Sequence, residues 1–407
     1  MIRLGVIGCG TASLISIISV LSHCKLNNWL ERIKIECIYD PNIPMLTVGE
    51  GISPSFHHVL KSTLGFNMDD LAKVDGTIRW GGRHFWEENL GKEFNVMYGS
   101  EGIHINSEKF SKYLLNKVNE IFPDNFTEYH DNVINVVHED NKVKLISNKN
   151  TYVYDYVIEC TGSPTDVELA SSSAYEFPDF ESVNSVVIFP EFKIYDEQYT
   201  TNLFHQNGWM FGIPLRHRKA FGYLYNNSIT SKEEAIIHFK KLKPDIEVEK
   251  LRSLNWKHYY KKEAMQDKVL SMGNKLYFFE PAQGLPLHYC FHISSLFADL
   301  ICNNFFSPID ISSYINLYHN IHMQKIQDLI ALNYAGENNM NSKFWQTTKE
   351  KARIRLKDSD RFREWCKNNI DLGYISQYCF HTDHLMRQYI EGFNINAGDL
   401  LNQQQRV

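Results

Sequence analysis

The sequence predicts a mixed α/β fold: a parallel α/β unit first, a β-rich layer next and helices last. Three observations predict it. The chain opens on IRLGVIG, a short apolar run bounded by glycine, as a buried parallel strand is. Apolar runs separated by polar turns fill residues 133–162 and 186–225. From about residue 290 apolar positions recur at helical spacing, and 311–407 is almost entirely of that kind before a polar NQQQRV tail.

After the first strand, Leu14, Ile17, Ile18 and Leu21 fall at helical intervals, and IKIECIYD then reads as a second buried strand ending in Asp40. Strand, helix and strand make a βαβ unit of the expected length. Phe110, Tyr113, Leu114 and Val118 mark an amphipathic helix over 107–121. In the β-rich regions turns are expected at Asp140–Asn141, Asn148–Asn150, Asn207–Gly208 and Lys219. The stretch EPAQGLPLHY (280–289) reads as a tight loop opening a helix, where first-turn N–H groups suit an anion; Pro286 supplies none. The domain reading is residues 1–310 as one unit with an inserted β-rich layer, and 311–407 as a helical subdomain.

A length of 407 residues and 43% hydrophobic content support a large packed core rather than disorder. The net charge of −6, with no basic run longer than RHRK (216–219), argues against nucleic acid. Eight cysteines without a CxxC pair fit reduced thiols better than a disulfide framework. The N-terminus reads as a strand rather than a signal peptide, and ASLISIISVL is too short to span a bilayer. A soluble, cytoplasmic protein is expected.

GCGTAS places Gly8, Gly10, Thr11, Ala12 and Ser13 in a G-x-G-x-x-[small] turn between strand and helix. The first glycine permits the turn, and the second lets backbone approach a pyrophosphate that the helix N-terminus stabilises. Ser13 keeps the third position small. Asp40 stands about 30 residues on, where a carboxylate can bind ribose hydroxyls. YDYVIECTG adds a strand closed by Thr161 and Gly162, and Val133 heads another strand assigned to the cofactor side. No second glycine motif follows, so a Rossmann-like unit holding one dinucleotide, FAD rather than FAD plus NAD, is expected.

Three further stretches are specific: MLTVGEGISPSFHHVLKSTLGF (45–66), GTIRWGGRHFW (76–86) and NGWMFGIPLRHRKAFGYLYNN (207–227). With IQDLIALNYAGENNMNSKFWQ (326–346), they resemble the flavin-dependent tryptophan halogenases over roughly residues 2–346. The resemblance implies a Rossmann-like FAD-binding domain of the flavin monooxygenase and halogenase type with a C-terminal helical subdomain. It implies a strap of Val48, Gly49 and Glu50 over the flavin, and a W-x-F-x-I-P motif (Trp209, Phe211, Ile213, Pro214) beside it. Reduced FAD would come from a separate, transiently bound reductase. In the family, hypohalous acid made at the flavin passes to an essential lysine, a nearby glutamate serves the substrate, and backbone amides hold the halide.

At those chemical positions the sequence departs from its relatives. The resemblance puts Arg79 at the lysine and Gln283 at the glutamate. It puts Gly284, Leu285, Pro286 and Leu287 in the halide loop, with Leu285 and Pro286 at the halide-holding amides. Arginine stays protonated, so the chloramine role open to a buried lysine is closed to it, although it can hydrogen-bond hypohalous acid or grip a carboxylate or phosphate. Glutamine is no general base near neutral pH. The reading is therefore a FAD-dependent oxidoreductase doing monooxygenase-type chemistry on a small, possibly indole-like aromatic. A bromide- or iodide-preferring halogenase and a non-catalytic flavin binder remain open alternatives. His288 and His292 lie four residues apart on one helix; with no third ligand in pattern, a packed pair is expected and no metal.

Overall fold

The structure is a computed structural model, and it describes residues 1–44, 48–139, 141–304, 310–363 and 383–395. Met45, the Asp140 half of one expected turn, Cys366, Cys379 and the polar tail lie outside the described residues.

Beta-branched, glycine-bounded runs form the first layer. Strand Ile2–Ile7 lies between Ile33–Tyr39 and Tyr156–Glu159, pairing with both in parallel. The full sheet has six strands; Phe126–His130 and Val269–Ser271 extend the parallel order, and Met265–Gln266 closes one edge antiparallel. Helix Thr11–Leu26 makes the crossover from the first strand to the second, completing the βαβ unit. The first strand has a neighbour on each side reached by opposite connections. That arrangement creates the crevice at the strand ends where open α/β sheets bind ligands.

The second layer is an eight-stranded sheet, ordered Arg252–Asn255, Ser185–Glu191, Lys219–Tyr225, Gly208–Pro214, Tyr199–His205, Thr77–Trp86, Phe94–Asn106 and Gly49–Ile52. Its pairs are antiparallel except that between Thr77–Trp86 and Tyr199–His205. Lys219, expected in a turn, begins a strand, and the reversal falls just before it, where the Leu215 N–H donates to the Arg218 carbonyl. Lys219 is buried and ion-paired with Glu197, with Tyr195 and Phe221 beneath its ammonium group. An aliphatic stem packed on aromatics lets a lysine serve as a strand residue.

Helix Leu285–Asn304 opens directly after the 280–284 loop, with Pro286 in its first turn, as the 280–289 stretch predicts. It is long and apolar enough to cross a membrane, but it packs against Thr11–Leu26 as a core helix, with Ile293, Phe297 and Ala298 fully buried. Ser294 donates to Ser16 across this contact at 2.9 Å. Helix Ile311–Ala335 joins the same core through Ile326, Ile330 and Tyr334. Replacing Phe297 by Ala should lower unfolding stability by about 3–5 kcal/mol, read as a fall in the urea midpoint at unchanged slope. An unchanged midpoint would mean that the helix–helix contact carries no stability.

Candidate active site

The glycine turn fits a dinucleotide. Gly8 has φ +98°, and a Cβ there would meet the Cys160 carbonyl oxygen at 2.6 Å, so only glycine lets the turn pass the end of strand Tyr156–Glu159. Gly10 is the N-cap of a helix with no side-chain cap and no acid in its first turn, and a Cβ there would meet nothing within 4 Å. An uncapped, positively polarised helix start facing open space suits a pyrophosphate. Ser13 is buried and donates to the Gly10 carbonyl at 2.8 Å, which keeps the helix tight against the strand. Asp40 sits one residue past its strand, where its carboxylate accepts from the Asn42 backbone and side chain at 2.9 Å. Thr161 donates to Glu159, Gly162 has φ +84°, and Val133 packs against a core cluster that includes Ile7 and Ile38.

The strap forms an edge strand on Phe94–Asn106, so its side chains alternate between two faces. Glu50 faces the glycine turn, accepting from Thr11 Oγ1 at 3.3 Å, and loss of water around it pushes its carboxyl up to about 7. Gly51 faces the other way, onto Arg79: a Cβ at position 51 would lie 2.4 Å from Arg79 Nη1. Gly49 rests on Ile213 of the W-x-F-x-I-P strand, and Val48 is held by Ser107 through paired backbone and hydroxyl contacts. Pro214 accepts at its carbonyl from Thr77 Oγ1 at 2.7 Å, which ties that strand to the one carrying Arg79.

Arg79 is 4% exposed, at a register shift in its strand pairing. Its guanidinium lies over the Tyr98 ring at 4.9 Å, while its Nε is buried without a hydrogen-bond partner. It forms no ion pair among the described residues. His84 is held neutral, down to about 3, by burial and the nearby cation; His104, hydrogen-bonded to Thr77 and Thr200, is pushed far down for the same reasons.

The 281–287 loop packs onto the strap. Gln283 and Gly284 both take left-handed backbone, φ 58° and 73°, and a Cβ at 284 would lie 2.9 Å from the Gly51 carbonyl oxygen and 3.5 Å from Arg79 Nη1. The structure thus brings together the strap, Arg79 and the loop. Gln283 Nε2 donates to Asn333 Oδ1 at 3.2 Å. Leu285, Pro286 and Leu287 form the first turn of the following helix, where proline's missing N–H breaks no helical bond but removes a donor from the exposed end. His288 and His292 meet ring to ring at 3.1 Å, and no group of three metal-ligating side chains occurs among the described residues.

Sequence reasoning missed a buried network beneath this loop. Glu280 is 2% exposed and accepts at Oε2 from Ser182 Oγ and from Tyr334 Oη at 2.9 Å, while Trp209 Nε1 donates to Tyr334 at 2.9 Å. The network joins the W-x-F-x-I-P strand, the loop and helix Ile311–Ala335. Glu280 Oε1 has no partner, and burial pushes the carboxyl up to about 7. Glu280 and Tyr334 lie inside stretches already singled out, but nothing in their spacing announces a contact across 54 residues. Tyr98 carries no sequence signal at all.

An uncapped helix start at a crevice of a parallel sheet, strapped by an edge strand, defines a flavin-type dinucleotide-binding oxidoreductase. The family model described as Tryptophan halogenase matches residues 3–159 and 133–387, so the chain belongs to the tryptophan halogenase family of flavin-dependent enzymes, which take reduced FAD from a separate flavin reductase. Among solved structures it is similar to a tryptophan halogenase from Shewanella frigidimarina, with TM-score 0.81 and 18% identity over 100% of this chain and 94% of that one. It is similar to a flavin-dependent halogenase from Brevundimonas, with TM-score 0.77 and 14% identity over 100% and 94%. A tryptophan 6-halogenase from Streptomyces toxytricini gives TM-score 0.79 and 15% identity over 96% and 90%. No curated protein sequence matches the chain.

Glu280 makes a pH prediction. A carboxyl raised from 4.5 to about 7 on folding binds its proton more tightly in the folded chain, so its stabilising share is complete at low pH and is lost as pH climbs through that window. The loss is of order 3 kcal/mol at most. Glu280→Gln should flatten stability between about pH 5 and 8 in thermal melts. An unchanged pH slope in the variant would show that Glu280 does not titrate there.

Proposed function

We propose that the chain is a FAD-dependent oxygenase of this family, working on a small flat aromatic substrate without a halide intermediate. One observation carries the reading: a buried, permanently cationic Arg79 stands against the strap and the 281–287 loop, at the position where the family resemblance implies a lysine. When bound, reduced FAD supplies the two electrons with which molecular oxygen is split between substrate and water. One oxygen atom replaces a hydrogen as a C–OH bond, and the other leaves as water.

The chain's own groups fit that balance better than halogenation. Arg79 cannot lose a proton and so cannot carry a transferable halogen on nitrogen. Pro286 withholds a helix-start N–H from a halide, and Gln283 orients through Asn333 but takes no proton. The working context is a soluble cytoplasmic enzyme fed by a diffusing flavin reductase.

The test supplies reductase, NADH, FAD and 18O-labelled oxygen with a panel of indoles, phenols and aromatic acids. Expected is a product carrying one 18O atom, formed equally with and without chloride or bromide. A halogenated product that requires added bromide overturns the proposal, as does oxygen consumption yielding only peroxide.

A further inference from the structure

Burying a cation with no counter-charge costs several kcal/mol, and proteins accept that where a ligand completes the pairing. Arg79 is such a cation. The acids of the strap and the loop are turned elsewhere: Glu50 faces Thr11 on the opposite side of the strap, and Glu280 is engaged by Ser182 and Tyr334. His84 and His104 are neutral and offer no negative charge.

The geometry also says which part of Arg79 is available. The Tyr98 ring centre lies 4.9 Å from the guanidinium carbon and covers one side of the cation, while its N–H groups remain for hydrogen bonds. The neighbours at 51 and 284 are both glycine, and a side chain at 51 would collide with Nη1. A planar fork lying against an aromatic ring, with no side chain at 51 or 284 to occupy its donors, matches a planar two-oxygen anion better than a spherical one.

We propose that Arg79 seats the carboxylate of the substrate, so that the chain takes aromatic carboxylic acids, held by paired N–H···O bonds with the ring toward Tyr98 and Tyr389. Tyr389, buried on helix Asp383–Gly392, also lies within electrostatic reach of Arg79. This deepens the oxygenase reading and rests on it only in treating the pocket as the substrate site. A bound carboxylate would convert the unpaired charge into a buried, hydrogen-bonded pair.

The test needs no turnover. The purified full chain, loaded with oxidised FAD in halide-free buffer, is titrated by calorimetry with benzoate and indole-3-carboxylate and with the corresponding amides. The acids should bind at least about tenfold more tightly than the amides, and Arg79→Met should erase that difference while Arg79→Lys keeps part of it. Because the unpaired charge is costly, Arg79→Met should melt no lower than the parent chain without ligand, which separates lost binding from lost folding. Equal binding of acids and amides, or an Arg79→Met chain that still prefers acids, overturns the proposal. So does bromide binding more tightly than formate in competition, which would assign the seat to a halide. An acid that binds but is never oxygenated counts against the oxygenase reading alone; a neutral aromatic oxygenated as well as its acid counts against the carboxylate seat alone.

Discussion

The opposite orientation of Glu50 and Gly51 on one short edge strand is the constraint on which the site depends. Alternation along the strand sends the carboxyl of Glu50 to the helix start that fits a pyrophosphate, and the bare face of Gly51 to Arg79. The strap therefore separates two charge environments. On one side an uncapped helix start attracts anions; on the other a buried guanidinium waits beside neutral histidines. A side chain at 51 would force the Arg79 guanidinium or the strap to shift.

The 281–287 loop is shaped by the same demand for close approach. Two successive left-handed residues turn the chain so that Gly284 comes over the Gly51 carbonyl before the helix begins. Beneath the turn, the Glu280, Ser182, Tyr334 and Trp209 network fixes the loop to the sheet and to helix Ile311–Ala335. A fully buried carboxyl is an expensive anchor, and its partly satisfied oxygens make the loop's setting sensitive to protonation. The supporting network thus sets where Gln283 and Pro286 sit against the strap and Arg79.

Much of the fold was legible because its signals are local. The glycine turn, the apolar strands around it and the amphipathic 107–121 helix announce themselves within windows of ten to fifteen residues, and the structure has each of them. Lys219, expected in a turn, is a strand residue whose burial depends on Tyr195 and Glu197, which no local pattern brings near. The 280–289 stretch, read as a loop opening a helix with Pro286 in its first turn, does so: the helix starts at Leu285, where a proline is tolerated. In the site, aligned motifs pointed to Arg79 and Gln283, but the partners that define their chemistry, Tyr98 and Asn333, lie across other elements. Side-chain direction from a strand with a register shift is set by tertiary pairing, which sequence spacing does not encode.

The most direct measurement is anomalous diffraction from crystals of the FAD complex soaked in bromide. The account predicts no bromine peak against the backbone of residues 284–287, since Pro286 has no N–H to offer there. A well-occupied peak held by the Leu285 amide, with Arg79 turned away from Gly51, would contradict it.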